Sequence, residues 1–346
     1  MKHALGIAIG AVTLALHGQG RPSECVSATS AANRASLPVA PRSAWTDPSP
    51  HREGYVTYRG TRLHYLDWGG PARAETLVFL AGAGQGAHVF DDLAPRFTDC
   101  WRPVAITRRG IGPSSDSANT DWSVEGLAAD VAAVLDSLGR GRVTLLGHSF
   151  AGAEITALAR SDSARVARLV YIDATFDSPD TTARPDPVPR PMPRPRERTF
   201  TAYRPWLERF FYGFWSNALE ADMRATREIP GSEGFRAMHG VTQQQAEFSA
   251  HPTEYDGLRV PILAIVARRT LRRSYPWLDS VRDSSEISRA QEYLDDVVTP
   301  ASHQAWNRLR QEAPTAAIIE MDAPHHIFIA QEDSVVRAIR AFLSRN

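Results

Sequence analysis

The residues with the clearest chemical potential form the segment Gly147-His148-Ser149-Phe150-Ala151-Gly152. An apolar run at 143–146 precedes this segment and a helical pattern follows it, so Ser149 is predicted to lie on a strand-to-helix turn. Such a turn brings two backbones together and needs small residues on both sides of the serine, which Gly147 and Ala151 provide. The pattern predicts a serine hydroxyl exposed at a sheet edge, with the N-terminus of a helix directed towards it.

Short apolar runs alternate with helical patterns along most of the chain, and these elements must position the serine. Continuous apolar runs are typical of strands buried on both faces, and their alternation with helices predicts a mostly parallel α/β sheet covered on both sides. A hairpin of residues 55–58 and 62–66, joined at Arg59-Gly60, precedes them. The predicted strands are 76–80, 102–106, 142–146, 168–172, 260–266 and 316–321, and the predicted helices are 123–138, 150–160, 302–312 and 334–343.

Several motifs occur in the order found in one enzyme superfamily. The segment around Ser149 resembles the nucleophile elbow of the α/β-hydrolase fold superfamily, in its serine-nucleophile, AB hydrolase-1 type. The matching motifs are Leu80-Ala81-Gly82-Ala83-Gly84 for the loop after the third strand, Thr107-Arg108-Arg109-Gly110-Ile111-Gly112-Pro113-Ser114-Ser115 for the Asp-x-Arg-Gly-x-Gly-x-Ser turn, and Pro324-His325-His326-Ile327-Phe328 for the histidine loop. The similarity runs from about residue 55 to residue 342 and implies the α/β-hydrolase fold.

The resemblance implies a nucleophile and a base. A serine hydroxyl is a weak nucleophile at neutral pH unless an imidazole takes its proton. Two adjacent histidines compete for that role, and His325 occupies the family's catalytic position, whereas His326 is expected to pack beside the site. His148, inside the elbow, is expected to be structural and to point under the sheet.

The acid of the implied Ser-His-Asp triad is harder to place. Family members most often carry it after the strand predicted at 260–266, but no carboxylate follows that strand before Asp279. A second known position is the end of the preceding strand, as in the haloalkane dehalogenases, and Asp173 stands there. Asp173 is therefore the predicted acid, with Asp177 and Asp279 as alternatives. Its role would be to hold the tautomer of His325 and stabilise the imidazolium.

The resemblance also implies an oxyanion hole made of backbone N–H groups. The predicted donors are the amides of Phe150 and Ala83, or of Gly84 if the loop register shifts by one residue. Ala81 stands where histidine is usual in the family. Because the hole uses backbone groups, this departure is expected to matter little.

The region 178–257 reads as an insertion after the sixth strand. Its first part, up to about residue 198, is dense in proline and arginine and is predicted to be an extended connector. Residues 202–250 are predicted to form a helical lid over Ser149. Phe211, Phe214 and Trp215 are predicted to line an apolar acyl pocket, with lid packing as the alternative. The arginine-rich stretch 268–273 is interpreted as solvated surface.

The implied activity is hydrolysis of an ester, amide or related acyl bond in a small-molecule substrate. The alternatives are a triad-based lyase or perhydrolase and a non-catalytic, ligand-binding pseudo-hydrolase. Ser149 argues against haloalkane dehalogenases and epoxide hydrolases, which use aspartate as the nucleophile. No cofactor and no metal are predicted, because the remaining histidines are scattered without i, i+4 pairing or a carboxylate partner: His64, His88, His239, His251 and His303.

Composition and the N-terminal residues indicate the partners and the location of the protein. Lys+Arg and Asp+Glu are both 39, so no global field directs the chain to nucleic acid. Lys2 and His3 precede an apolar run at 4–16 that is too short to span a bilayer and suits a signal peptide. Residues 1–28 are the predicted leader. The predicted cleavage site follows Val26-Ser27-Ala28, and Gly18-Gln19-Gly20 is the alternative site. The protein is therefore predicted to be exported to the periplasm or medium.

The predicted organisation follows from these segments. Residues 29–50 are a flexible tether, residues 51–177 and 258–346 form the α/β-hydrolase core, and residues 178–257 form the connector and lid. Cleavage after Ala28 would remove Cys25 and leave Cys100 as the remaining cysteine, without a disulfide. No stable membrane insertion is expected once the leader is removed, and the sequence does not specify an oligomeric state.

Overall fold

A computed structural model describes residues 46–114, 121–175, 195–209, 213–229, 232, 234–236, 238, 240–250 and 253–345. The predicted leader, most of the Pro/Arg-rich connector and Asp177 lie outside these residues. So do Phe211 and His239, which the sequence analysis singled out.

An eight-stranded sheet forms the centre of the molecule, in the order β1-β2-β4-β3-β5-β6-β7-β8. The pairs β1/β2 and β2/β4 are antiparallel and every other pair is parallel, which agrees with the predicted sheet. The strands are β1 (Arg52–Tyr58), β2 (Thr61–Asp67), β3 (Thr76–Leu80), β4 (Arg102–Ile106), β5 (Val143–His148), β6 (Val166–Ile172), β7 (Ile262–Ala267) and β8 (Ala317–Met321).

The first two strands form the predicted hairpin. Arg59 and Gly60 join them with φ angles of 46° and 77°. Two successive residues with positive φ match the right-handed twist of the flanking strands, which explains why the turn carries glycine at one of its two positions. The turn thereby fixes the pairing of Tyr58 with Thr61.

Helices cover both faces of the sheet. Their bounds are α1 (Val124–Ser137), α2 (Ala151–Ser161), α3 (Phe200–Leu207), α4 (Asn217–Arg227), α5 (Val241–Ala250), α6 (Leu271–Ser274), α7 (Ser284–Tyr293), α8 (Thr299–Glu312), α9 (Ile327–Ala330) and α10 (Glu332–Leu343). Helices α3, α4 and α5 lie in the insertion between β6 and β7. Within the part of the chain that the structure describes, no helix has both the length and the apolar character needed to cross a bilayer.

The core has two layers, one on each face of the sheet, and β3 shows why. All five of its residues are buried. Leu77 and Phe79 join the cluster that includes α10 and α4, whereas Val78 and Leu80 join the cluster that includes α1, α2 and α8. Because neighbouring side chains of a strand point to opposite faces, a strand buried on both sides carries consecutive apolar residues, here Leu77 to Leu80 after the buried Thr76.

The segment before β1 packs against the core. The Ser49 hydroxyl donates to the Asp91 carbonyl oxygen at 3.2 Å, and the Trp68 indole N–H donates to the Ser49 hydroxyl at 2.9 Å. The predicted end of the tether, at residue 50, therefore falls inside a segment that is held in place. Elsewhere, Cys100, at the turn before β4, is disulfide-bonded.

Candidate active site

Four loops meet at the carboxyl edge of the sheet, where ligands bind in open α/β folds. They follow β3, β5, β6 and β8, and they carry the residues predicted from the sequence: Ala83, Ser149, Asp173 and His325. In the sheet, β4 lies on one side of β3 and β5 lies on the other, so the strand order changes direction at β3. In open α/β folds, ligands bind at the sheet edge where the strand order changes direction in this way.

Ser149 lies on the predicted strand-to-helix turn, with a φ of 53°. Its N–H donates to the Ile172 carbonyl oxygen at 3.2 Å, and its own carbonyl oxygen accepts the Gly152 N–H at 2.9 Å. A Cβ on Gly147 would lie 2.8 Å from the Ala151 carbonyl oxygen, and one on Gly152 would lie 2.1 Å from the Ala174 carbonyl oxygen. Both glycines are therefore required by close backbone packing, as the elbow pattern predicted.

His325 is hydrogen bonded to Asp173. The Nδ1–H of His325 donates to Asp173 Oδ2 at 2.6 Å, and Asp173 is buried at the end of β6. Of the alternative acids, Asp279 has a 69% exposed side chain that lies 3.8 Å from Arg272, and Asp177 is outside the described residues. Asp173 is therefore the carboxylate that contacts His325, and this bond leaves the other nitrogen of His325, Nε2, for a second partner.

The surroundings of Asp173 keep it ionised. Burial by itself would raise its pKa, but the charge of Arg269, the hydrogen bond from His325 and the Ala267 N–H outweigh it and lower the pKa to about 2. Arg269 Nη2 lies 2.8 Å from Asp173 Oδ2, and the Ala267 N–H donates to Oδ1 at 3.0 Å. Like Ser149, Asp173 has a positive φ, here 43°.

Arg269 corrects one interpretation of the sequence. The stretch 268–273 was read as solvated surface, and this holds for Arg268, Arg272 and Arg273, whose side chains are 57%, 84% and 46% exposed. The Arg269 side chain is only 15% exposed and pairs with Asp173. A run of arginines gives no sign of which member points inwards, so the sequence pattern could not single it out.

The other two histidines at the site are buried and packed on His325. The ring of His148 lies 4.6 Å from that of His325 and 5.0 Å from that of His326, and His148 Nε2 donates to the His325 carbonyl oxygen at 3.2 Å. Burial lowers the pKa of His148 and of His326 well below the ordinary value, and the neighbouring histidines act in the same direction. Gln85 Nε2 donates to His326 Nε2 at 3.2 Å, so His326 packs beside the site with this nitrogen engaged.

The loop after β3 runs next to the serine. A Cβ on Gly82 would lie 3.1 Å from both Ser149 Cβ and His148 Nδ1. Within the described part of the chain, the amides of Phe150 and Ala83 donate no hydrogen bond to another residue. Phe150 also precedes the first residue of α2, so its N–H lies at the positive end of the helix.

A buried ion pair holds this loop in place, and the sequence analysis did not find it. Arg108 Nη2 donates to the Ala81 carbonyl oxygen at 2.8 Å, and Nη1 donates to the Gly82 carbonyl oxygen at 3.2 Å. The same guanidinium pairs with Glu154 of α2, with Nη2 2.9 Å from Oε2. Arg108 therefore ties the loop after β3 to the helix after the elbow.

Helix α4 and the region after it cover the loop. Asp222 Oδ1 accepts the Gly86 N–H at 2.8 Å, and a Cβ on Gly84 would lie 3.1 Å from Met238 Cε and 3.6 Å from Arg227 Nη2. The ring of Phe248 lies 5.3 Å from that of Phe150. The sequence analysis missed Met238 and Phe248, because single apolar residues in a polar stretch give no periodic signal.

Of the residues predicted to bind substrate, two can be located. Trp215 is only 2% exposed, its indole N–H donates to Glu220 Oε2 at 2.8 Å, and Arg204 stacks over its ring. Phe214 is partly buried and packs against the same apolar cluster. These contacts favour the lid-packing alternative for Trp215. A substrate-binding role for Phe211, which lies outside the described residues, stays a prediction.

One of the histidines described as scattered has carboxylate partners. His88 Nδ1 lies 2.8 Å from Asp91 Oδ2 and 3.2 Å from Asp47 Oδ2. The sequence analysis expected no such partner, because it considered only i, i+4 pairs. Asp91 lies three residues after His88, and Asp47 approaches through the fold.

Comparison with known proteins agrees with this architecture. A family model described as the alpha/beta hydrolase fold matches residues 75–221. The solved structure of E-2-(acetamidomethylene)succinate hydrolase superposes with a TM-score of 0.61 and 16% sequence identity, over 85% of this chain and 100% of that chain. The chain has the α/β-hydrolase fold.

Curated relatives are similar to this chain over part of their length. N-formylmaleamate deformylase of Pseudomonas putida is 30% identical over 132 residues, which is 38% of this chain and 48% of that protein. A non-heme chloroperoxidase of Streptomyces lividans is 35% identical over 121 residues, which is 34% of this chain and 43% of that protein. The chain thus spans about half the length of the curated relatives it matches.

Proposed function

We propose that the protein is a serine hydrolase that cleaves an ester, amide or related acyl bond through a Ser149–His325–Asp173 triad. The observation that carries the proposal is the 2.6 Å hydrogen bond from His325 Nδ1 to Asp173 Oδ2. It lies at the same sheet edge as a serine held at a positive φ between a strand and a helix. The similarity to a deformylase supports acyl-bond hydrolysis.

The proposed reaction has two halves. Ser149 Oγ attacks the substrate carbonyl carbon while His325 Nε2 takes the hydroxyl proton. The tetrahedral oxyanion is held by the Phe150 and Ala83 amides, and its collapse expels the leaving group, which receives the proton from His325. Water then attacks the acyl-enzyme by the same steps and releases the acid. Asp173 holds the Nδ1–H tautomer and stabilises the imidazolium.

The direct test combines covalent labelling with kinetics. A fluorophosphonate probe should label one equivalent of the protein at Ser149, as located by peptide mass spectrometry. Ser149→Ala and His325→Ala should each lower kcat by about 10³-fold or more, whereas His303→Ala, an exposed histidine elsewhere, should leave it unchanged. Normal turnover in Ser149→Ala would reject the mechanism. Labelling without turnover of any acyl substrate would favour the ligand-binding alternative.

A narrower substrate class is an acyl compound that carries a carboxylate. Arg227 Nη2 approaches the loop that bears the Ala83 amide, and two similar proteins are named for a maleamate and a succinate. A guanidinium at this place can bind a carboxylate through paired N–H groups. We expect Arg227→Gln to raise KM for a succinyl ester about 10-fold or more and to leave KM for the matching uncharged butyryl ester unchanged. An equal rise in KM for both esters would show that Arg227 does not bind a substrate carboxylate.

We also propose that the protein is exported through an N-terminal leader cleaved before Cys25, which lies outside the described residues. The disulfide at Cys100 supports this, because disulfides persist in oxidising compartments such as the periplasm and the medium.

A further inference from the structure

A second cluster of ligating side chains lies away from the triad. Asp47 and His51 come from the segment before β1, and His88 and Asp91 come from the short 3₁₀ turn Ala87–Phe90 and its end. One ligating atom from each of the four residues lies within 4.8 Å of all the others. His51 Nδ1 is 3.2 Å from Asp91 Oδ1, and His88 Nδ1 is 3.2 Å from Asp47 Oδ2.

These atoms converge without satisfying one another. Asp91 is buried, with 5% of its surface exposed, and among the described residues its Oδ1 accepts no hydrogen bond of good geometry, although His51 Nδ1 lies 3.2 Å away. Asp47 Oδ2 and His51 Nδ1 are likewise buried atoms that form no hydrogen bond of good geometry in the described part of the chain, although each lies 3.2 Å from one other atom of the cluster. A buried carboxylate oxygen without a partner is costly, and it is normally explained by an ion or water that the polar groups surround. The cluster therefore contains buried ligating atoms whose hydrogen-bonding capacity its own members do not fill.

Neighbouring groups hold the four side chains in place. The Ser49 N–H donates to Asp47 Oδ1 at 2.8 Å, which turns Oδ2 towards the cluster. The His51 ring packs edge-on against Trp68, at 5.9 Å, and against His88, at 5.0 Å. Orientation of ligands by such outer contacts is a general property of metal sites in proteins. Pro48 and Pro50 restrict the backbone on both sides of Ser49.

We propose that Asp47, His51, His88 and Asp91 form a binding site for a divalent first-row transition metal ion, with zinc as the best fit. Two imidazoles and two carboxylates are ligands that zinc accepts, whereas magnesium and calcium prefer oxygen ligands alone. Tetrahedral bonds of about 2.0 Å separate neighbouring ligand atoms by about 3.3 Å. The spacing of 3.2 Å in two of the pairs is close to this value.

Charge balance favours the same occupant. Two carboxylates and two neutral imidazoles carry a charge that a divalent ion cancels, so that no net charge is buried. A proton is the competing occupant. A proton on His88 would cancel only one of the two carboxylate charges.

The position of the site indicates a structural role. A metal ion there would fasten the segment before β1 to the turn that directly follows the loop bearing the Ala83 amide. The ion would lie outside the proposed triad, so hydrolysis would not pass through it. Bound metal should therefore raise thermal stability and leave kcat largely intact at temperatures where the protein remains folded.

The experiment uses the full chain, stripped of metal with a chelator and then titrated with Zn²⁺ or Co²⁺. We expect one equivalent of bound metal by elemental analysis, visible absorption typical of tetrahedral Co²⁺, and a rise in Tm of about 5 °C. Asp91→Asn and His51→Gln should each lose the Co²⁺ spectrum and the Tm rise. His303→Ala, which removes an exposed histidine, should keep both.

Two results would contradict the proposal that these residues bind a metal ion. One is a stripped wild-type chain that gains neither spectrum nor stability with either metal. The other is metal binding that persists unchanged in both Asp91→Asn and His51→Gln. Because the Co²⁺ spectrum of the wild-type chain is read directly, the proposal stays testable even if one variant fails to fold.

Discussion

At the scale of single residues, Arg269 determines how Asp173 responds to acid. The folded-state pKa of Asp173 is about 2, below its ordinary value of 3.8, so its ionised form stabilises the fold above pH 4 and this stability is lost as the pH falls from about 4 towards 2. Burial raises the pKa of Asp173, and the charge of Arg269 opposes this effect. Removing Arg269 therefore raises the pKa of Asp173. We expect Arg269→Gln to lose stability at a higher pH than the wild type during acidification.

Urea unfolding between pH 7 and pH 3 measures this effect. At pH 7 we expect Arg269→Gln to cost about 1–3 kcal/mol of unfolding free energy, the range for a hydrogen bond to a charged group. The matched control is Arg268→Gln, since Arg268 is exposed and pairs with Glu320 at the surface. Equal acid profiles for the two variants would show that Arg269 does not set the pKa of Asp173.

Arg108 is a positioning residue, and its two roles can be separated. Arg108→Met should leave buried Glu154 without its cation and cost about 3–5 kcal/mol of stability. The double variant Arg108→Met/Glu154→Leu removes both charges and should recover most of that loss. It does not restore the bonds to the Ala81 and Gly82 carbonyl oxygens, so kcat should stay about 10- to 100-fold low with KM little changed. Recovery of kcat together with stability would show that the loop holds its shape without Arg108.

At the scale of elements, the elbow depends on the close approach of α2 to the end of β6. A Cβ on Gly152 would lie 2.1 Å from the Ala174 carbonyl oxygen, so Gly152→Ala must shift the helix that begins beside Ser149. We expect a loss of about 2 kcal/mol or more and a fall in kcat, because backbone displacement in a packed site is costly. Gly141→Ala is the control, as a Cβ there meets nothing within 4 Å. Thermal unfolding and esterase kinetics of both variants test this.

Elements and site residues differ in how far the sequence predicts them. The strands follow from apolar runs, since a strand such as β3 that is buried on both faces is continuously apolar from Leu77 to Leu80. Ser149 follows from local backbone requirements, which Gly147 and Gly152 satisfy within a few residues. Arg269, Glu154 and the partners of His88 depend instead on which distant loops meet. No local sequence pattern encodes which distant loops meet, so these contacts could not be predicted. Asp173 could be predicted only through the family resemblance.

At the scale of the whole molecule, the disulfide at Cys100 bears on where the proposed leader would be cleaved. The sequence has two cysteines, and cleavage after Ala28 would remove Cys25. An intramolecular bond therefore requires cleavage before Cys25, which favours the region of Gly18-Gln19-Gly20. We expect the intact mass of the exported protein to match an N-terminus upstream of residue 25 and to rise by about 2 Da on reduction. A mature N-terminus at residue 29 would contradict this.

The positive φ angles of Ser149 and Asp173 have an evolutionary consequence. A side chain in the left-handed region carries a steric cost that glycine avoids, about 1–2 kcal/mol. Ser149→Gly should therefore be more stable than Ser149→Ala by about 1 kcal/mol, although both lack the hydroxyl. Selection for heat resistance alone would favour glycine at position 149, and the proposed activity would be lost. A heat-resistant descendant that keeps its serine would have to gain its stability elsewhere in the fold.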